Sequence, residues 1–312
     1  MRQYRFLQLD VFTDRAFSGN PLAVFPEADG LTDEEMQQIA REMNLSETVF
    51  VLPSLDEKSL RRLRIFTPWR ELPFAGHPIV GTWNALAREG VVPVPGGGDG
   101  WTRIEHEVGI GRLPVDVEFK EGEPVSVVMT QGKFETLAGV EDAHERAEVE
   151  RGLGLAPEDF DDGLPIQTIS TGIPTLAVPL RSLDALGRCR VNAMILSEAY
   201  THAGALSCYA FTRETIEGGT SQAHARLFAH DSGIPEDPAT GSAAGSLAGY
   251  LVHHGVLNAD ETDGLFRFRI EQGDFIHRPS RINAEVKGAS GVVEQVRIGG
   301  PSVVVARGEL IF

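Results

Sequence analysis

The segment Glu71-Leu-Pro-Phe-Ala-Gly-His77 returns 165 positions later as Glu236-Asp-Pro-Ala-Thr-Gly-Ser242. In both, Glu-x-Pro-x-x-Gly leads into an apolar run that stops at a glycine, Gly90 or Gly255, the residue suited to a left-handed helix C-cap. Pro78 fits the first turn of the first helix. Ile79, Val80, Trp83 and Leu86 in one run, and Ala243, Ala244, Leu247 and Leu251 in the other, leave neither a polar face. A helix apolar all round is buried. The separation is about half of the 312-residue chain, so the pattern reads as an internal duplication.

The fold class that follows is α+β, with two pseudo-symmetric domains, each a curved, mostly antiparallel sheet or barrel around one central helix. At about 150 residues per domain, the length accommodates two. The expected domains are 1–120 and 121–312, with the last strand able to cross back to the first domain. Expected strands are Phe6–Phe12, Leu22–Phe25, Val49–Leu52 and Leu63–Phe66, then Val115–Phe119, Phe266–Ile270, Ile282–Val286 and Val303–Ala306. Thr32 and Glu35 form a capping box for a helix from about Asp33 to Met43, with Met36, Ile39, Ala40 and Met43 on one face. The Gly-rich tract Pro95–Gly100 reads as a surface loop.

A net charge of −17 argues against nucleic-acid and anionic-membrane partners, which demand a basic face. It leaves room for a local site that binds a small anionic metabolite. No apolar stretch reaches the ~18 residues of a membrane span, and the N-terminus lacks the apolar core of a signal peptide, so a cytoplasmic location is the expectation. Cys189 and Cys208 form no C-x-x-C pair, which excludes a disulfide scaffold and a cysteine zinc site. No P-loop, H-E-x-x-H or G-x-G-x-x-G follows the pattern its chemistry requires. No metal and no cofactor is expected.

The candidate chemistry gathers at the helix starts. Gly76-His77 and Gly241-Ser242 open helices whose unpaired N–H groups and partial positive charge receive a carboxylate. If the halves pack about a pseudo-twofold axis, both ends point into one cleft. The plainer alternative is that Ser242 only caps its helix. Glu47, between Leu45 and Val49, is a candidate acid–base group if desolvated, although pattern alone reads more simply as a solvated loop glutamate. Asp237 is a turn residue before Pro238, or a hydrogen-bond acceptor or second acid–base group beside Ser242. His77 is a neutral proton-trading group or a structural histidine. Ser46, Gly76, Gly241 and Ser242 are the candidate substrate-binding positions.

Four stretches resemble the phenazine-biosynthesis F-type isomerase family of the diaminopimelate-epimerase-like superfamily. They are Asp10-Val-Phe-Thr with Gly19-Asn-Pro-Leu-Ala-Val24, Asn44-Leu-Ser-Glu-Thr-Val-Phe50, Ile65 to Pro78, and Glu236-Asp-Pro-Ala-Thr-Gly-Ser-Ala-Ala-Gly245. The resemblance implies paired domains with central helices, a homodimer, and a cofactor-independent isomerisation of the trans-2,3-dihydro-3-hydroxyanthranilate type. It implies that Glu47 is the acid–base catalyst. It also implies that His77, Asp237 and Ser242 bind substrate or assist proton movement. Diaminopimelate epimerases place a cysteine before the glycine of each central helix. The corresponding residues here are Ala75 and Thr240, which excludes a two-thiol racemase.

Two other classes compete. A small-carboxylate-binding protein of the same fold tolerates loss of Glu47. A hydrolase built on Ser242, His77 and Asp237 lacks the G-x-S-x-G elbow, since residues 241–245 read Gly-Ser-Ala-Ala-Gly.

Overall fold

The computed structural model describes residues 1–257 and 261–312 and divides into two compact units. One comprises Met1–Thr130 with Gly299–Phe312, and the other Gln131–Ile298.

In the first unit the strands are β1 (Gln3–Val11), β2 (Asn20–Phe25), β3 (Glu47–Leu52), β4 (Arg62–Phe66), β5 (Glu71–Leu72), β6 (Gly100–Val108), β7 (Gly111–Lys120) and β8 (Glu123–Thr130). Pairing runs from the C-terminal strand Ser302–Ile311 through β1 and β2 antiparallel, to β3 parallel and to β4 antiparallel. From β4 it continues to β5 antiparallel and β6 parallel, and then through β7 and β8 antiparallel. Helix α1 (Asp33–Met43) begins with the expected Thr32–Glu35 capping box. Its buried Met36, Ile39 and Ala40 join Phe25, Phe50 and Phe66 in one apolar cluster. Helix α2 (Gly76–Arg88) is buried from Gly76 to Ala87 and touches β1, β2, β3, β7, β8 and the C-terminal strand. The sheet therefore curves around it, because no face of α2 is suited to water.

The second unit carries β9 (Glu135–Gly139), β10 (Gln167–Ser170), β11 (Thr175–Pro179), β12 (Cys208–Thr212), β13 (Ser221–Ala229), β14 (Ile234–Asp237), β15 (Glu261–Thr262), β16 (Leu265–Gln272) and β17 (Ser280–Ala289). The ladder repeats the first: β10–β11 antiparallel, β11–β12 parallel, β12–β13 and β13–β14 antiparallel, β13–β16 parallel, and β16–β17 antiparallel. The duplication read from two helix motifs thus extends to six successive pairings. Three helices that the sequence pattern did not yield, α3 (Ala143–Leu153), α4 (Leu183–Arg188) and α5 (Ala193–His202), pack with strand residues Leu176, Val178, Ala210 and Phe228.

The central helix α6 (Gly241–His253) is the counterpart of α2. Both end in a Schellman motif. Gly90 (φ 77°) and Gly255 (φ 65°) are left-handed. Val91 N–H donates to Leu86 O and Val256 N–H to Leu251 O. Gly249 lets α6 approach its neighbours: a Cβ there would lie 2.4 Å from Phe134 Cδ2. Gly249→Ala is expected to lose about 1–3 kcal/mol to overpacking, against about 1 kcal/mol regained in helix propensity. A lower urea midpoint at unchanged m-value checks it. Among the described residues no helix is long and apolar enough to cross a membrane.

Candidate active site

Asn44, left-handed at φ 49°, ends α1 and turns the chain so that Glu47 opens β3 beside Leu22 of β2. Glu47 is 8% exposed. It is a buried strand residue and not a solvated loop glutamate, because strand pairing begins two residues earlier than the apolar run. Ser46 beside it is half-buried.

His77 occupies the first turn of α2, 6% exposed, with Nε2 3.4 Å from Glu47 Oε2. Its Nδ1 lies 3.4 Å from Nδ2 of the fully buried Asn20. An amide nitrogen only donates, so Nδ1 accepts and the ring proton sits on Nε2, toward Glu47. Burial pushes the imidazole down to about 3, and the positive end of α2 acts in the same direction. His77 is therefore neutral at pH 7.

The same burial has a stability consequence. The folded state holds His77 below its ordinary 6.5, so protonation favours the unfolded chain. Its contribution is fully present above pH 6.5 and is lost as pH falls toward 3. His106, pushed down to about 4 by burial, acts in the same window. His77→Asn should flatten the fall in urea midpoint between pH 6.5 and 4 by removing one of the buried-histidine contributions.

The loop before Asn20 is constrained. Gly19 (φ 65°) accepts no side chain, since a Cβ would meet Val11 O at 2.3 Å. Phe12 (φ 62°) and Phe17 (φ 67°) are left-handed non-glycine residues, each costing about 1–3 kcal/mol. Asp10 Oδ2 holds the loop by accepting from Phe17 N–H at 2.7 Å.

In the second unit Asp237 ends β14, buried, and accepts from the Thr240 hydroxyl. The helix N-caps are Ala75 and Thr240, and neither side chain caps its helix. Ser242 is therefore not the cap. It lies inside the first turn, half-buried, and its carbonyl accepts from Ser246 Oγ at 3.0 Å. Gly76 and Gly241 are the first helical residues. Each helix start, lacking a side-chain cap, leaves backbone N–H groups of the kind that receive an anion.

The glutamates that open the two motifs have a structural duty. Arg64 Nε and Nη2 grip Glu71 at 2.7 and 2.6 Å. Arg226 does the same to Glu236 at 2.9 and 2.7 Å. These bidentate pairs tie each short hairpin strand to its neighbour, so the repeated charge is no sign of catalysis.

Register shows where the halves diverge. Ile65 pairs with Leu72 and Phe66 with Thr48; Leu227 pairs with Asp237 and Phe228 with Cys208. Glu47 therefore corresponds to Ser207, whose Oγ is 2.7 Å from Thr175 Oγ1. One half carries a carboxylate at this position and the other a hydroxyl already bonded.

Sequence reading missed Asn20, Tyr209 and Gln272 as site neighbours and gave Thr240 only as the place of an absent cysteine. Asn20, within the Gly19-Asn-Pro stretch, and Thr240, three residues after Asp237, carried a local signal. Tyr209 and Gln272 arrive through long-range pairing.

The family described as phenazine biosynthesis-like protein, PhzC-PhzF, matches residues 9–308. A protein of Clostridium acetobutylicum named an uncharacterized isomerase is 38% identical over 100% of this chain and 99% of its own. The trans-2,3-dihydro-3-hydroxyanthranilate isomerase of Pseudomonas aeruginosa is 35% identical, covering 98% of each chain. The crystal structure of a Bacillus anthracis phenazine biosynthesis protein of the PhzF family superposes with a TM-score of 0.85 at 31% identity, covering all of both chains. Family match, fold and relatives agree along nearly the whole length, and the chain belongs to the PhzC-PhzF family of phenazine biosynthesis-like isomerases.

Proposed function

We propose that the protein shifts a proton on a small cyclic or amino carboxylate, in the manner of trans-2,3-dihydro-3-hydroxyanthranilate isomerisation, with Glu47 as the acid–base group. The observation that carries this is that one of the two duplicated positions holds a carboxylate: Glu47 lies against neutral His77, while its counterpart is Ser207. An inversion needs a proton taken from one face and given to the other. One carboxylate suits removal from one carbon and return to another. As carboxylate, Glu47 takes the proton; as carboxylic acid, it returns it. The Nε2–H of His77 steadies whichever oxygen carries charge.

Ser46, Gly76, Gly241 and Ser242 supply polar groups and backbone N–H donors for the substrate carboxylate, and Asp237 assists the proton transfer. The relative acting on trans-2,3-dihydro-3-hydroxyanthranilate supports the substrate class.

Incubation with that compound in D2O, followed by proton NMR, tests the proposal. Deuterium entering a ring carbon with product formation is the expected result. Saturable binding without exchange sinks it in favour of a carboxylate-binding protein.

A further inference from the structure

Four polar residues of the second unit form one directed chain. Tyr209 donates to Gln272 Oε1 at 2.8 Å, and Thr240 N–H donates to the same oxygen at 3.2 Å. Gln272 Nε2 donates to the Asp237 carbonyl at 2.7 Å and to Thr240 Oγ1 at 3.2 Å. The Thr240 hydroxyl donates to Asp237 Oδ2. Two backbone groups fix the amide's orientation, since Thr240 N–H only donates and the Asp237 carbonyl only accepts. With Gln272 donating into Thr240 Oγ1, the threonine proton points at the Asp237 carboxylate. Tyr209 and Gln272 are fully buried and Thr240 is half-buried, so the two members behind the threonine are shielded from water.

The duplication supplies an internal control. By the registers above, Asp237, Thr240 and Tyr209 correspond to Leu72, Ala75 and Val49. The pairs Arg62–Glu107 and His224–Glu271 align Glu271-Gln-Gly273 on Glu107-Val-Gly109, so Gln272 corresponds to Val108. All four counterparts are apolar, yet the first unit builds the same hairpin and central helix. The fold does not require the polar chain. A buried polar network that the architecture can do without is conformationally costly unless every member is satisfied; its specific effect is to hold Asp237.

We propose that Thr240, Gln272 and Tyr209 are positioning residues that lock the Asp237 side chain as an oriented hydrogen-bond acceptor for the isomerisation. This rests on Asp237 taking part in the reaction proposed above. Thr240 acts directly on the carboxylate, Gln272 fixes the threonine rotor, and Tyr209 fixes the glutamine.

The test compares Thr240→Val, which keeps shape without the hydroxyl, with Thr240→Ser, which keeps the hydroxyl. Gln272→Val installs the residue found at the counterpart position. The first readout needs no substrate: the carbon-13 carboxyl resonance of Asp237, assigned by its loss in Asp237→Asn. The second is kcat and KM for trans-2,3-dihydro-3-hydroxyanthranilate. Thr240→Val and Gln272→Val should move the resonance and lower kcat about tenfold to a hundredfold, as misplacement of a reacting group does, with KM within about twofold. Thr240→Ser should restore both. An unmoved resonance in Thr240→Val overturns the proposal, as does undiminished kcat. Failure of Thr240→Ser to rescue also overturns it, because the requirement is then for threonine's shape. A wild-type protein that turns over no substrate sinks the proton-shift reaction, while the resonance still decides whether the chain holds Asp237.

Discussion

Glu47→Gln is expected to lower kcat by about 10²- to 10⁴-fold, the range for loss of a general acid–base group, while KM changes little. The amide keeps the volume of the side chain at the start of β3 and can neither take nor return a proton. Glu47 is almost wholly buried, with its Oε2 3.4 Å from His77 Nε2, so bulk water is poorly placed to substitute. Deuterium incorporation into substrate in D2O should vanish with turnover, because both follow the same abstraction. Glu47→Asp, which keeps the carboxylate and draws it back by one methylene, should retain part of the activity. Circular dichroism and urea midpoints near the parent's establish that the loss is chemical. Exchange continuing at the parent rate in Glu47→Gln would remove Glu47 from the mechanism.

The second large effect concerns stability. Glu271→Ala is expected to cost about 3 kcal/mol or more, because it strands several buried hydrogen-bonding groups at about 1–3 kcal/mol each. Glu271 and His224 have no side-chain exposure, with Oε2 3.0 Å from His224 Nδ1. The carboxylate also receives Ile216 N–H at 2.7 Å and Glu217 N–H at 2.9 Å. On the other side, His224 Nε2 lies 3.6 Å from Asp274 Oδ2, which Arg281 holds at 3.0 Å. Alanine strips partners from the histidine and two backbone donors at once. Glu271→Leu combined with His224→Leu removes both ends of the pair and should recover part of the loss, since the imidazole is no longer stranded.

Acid should act on the same group. Burial opposes charge on Glu271, but His224 and the two backbone N–H groups outweigh it and hold the carboxyl down to about 2, from an ordinary 4.5. A folded value below the unfolded one means that its stabilisation is full above about pH 4.5 and is lost as pH falls toward 2. Urea unfolding across that range should show a steeper fall for the parent than for the double leucine variant.

The counterpart glutamate shows why this pair was not legible in the chain. Glu107 performs the same duty in the first unit, accepting Leu55 N–H at 3.2 Å and Asp56 N–H at 2.6 Å, but stands opposite Arg62 where Glu271 stands opposite His224. Each glutamate lies more than fifty residues from the loop it caps. No local pattern records such a contact, since the strands that create it pair across the whole unit.

The sequence alone determined the elements whose causes are local. Apolar residues on every face made α2 and α6 central, because such helices have no stable exposed arrangement. Gly90 and Gly255 set their ends, and the Thr32–Glu35 box set the start of α1, through bonds spanning a few residues. The repeated motif announced the duplicated units, and the Glu47, His77 and Asp237 stretches carried the family. Tertiary structure decided what depended on pairing at a distance. It drew Glu47 into β3 and beside His77, assigned Glu71 and Glu236 to arginine clamps, and made Ser207 the counterpart of Glu47 in the duplication. It also joined Tyr209, Gln272 and Thr240 behind Asp237. A helix is fixed by bonds between near neighbours in the chain, whereas a buried polar group is fixed by whichever strand arrives beside it.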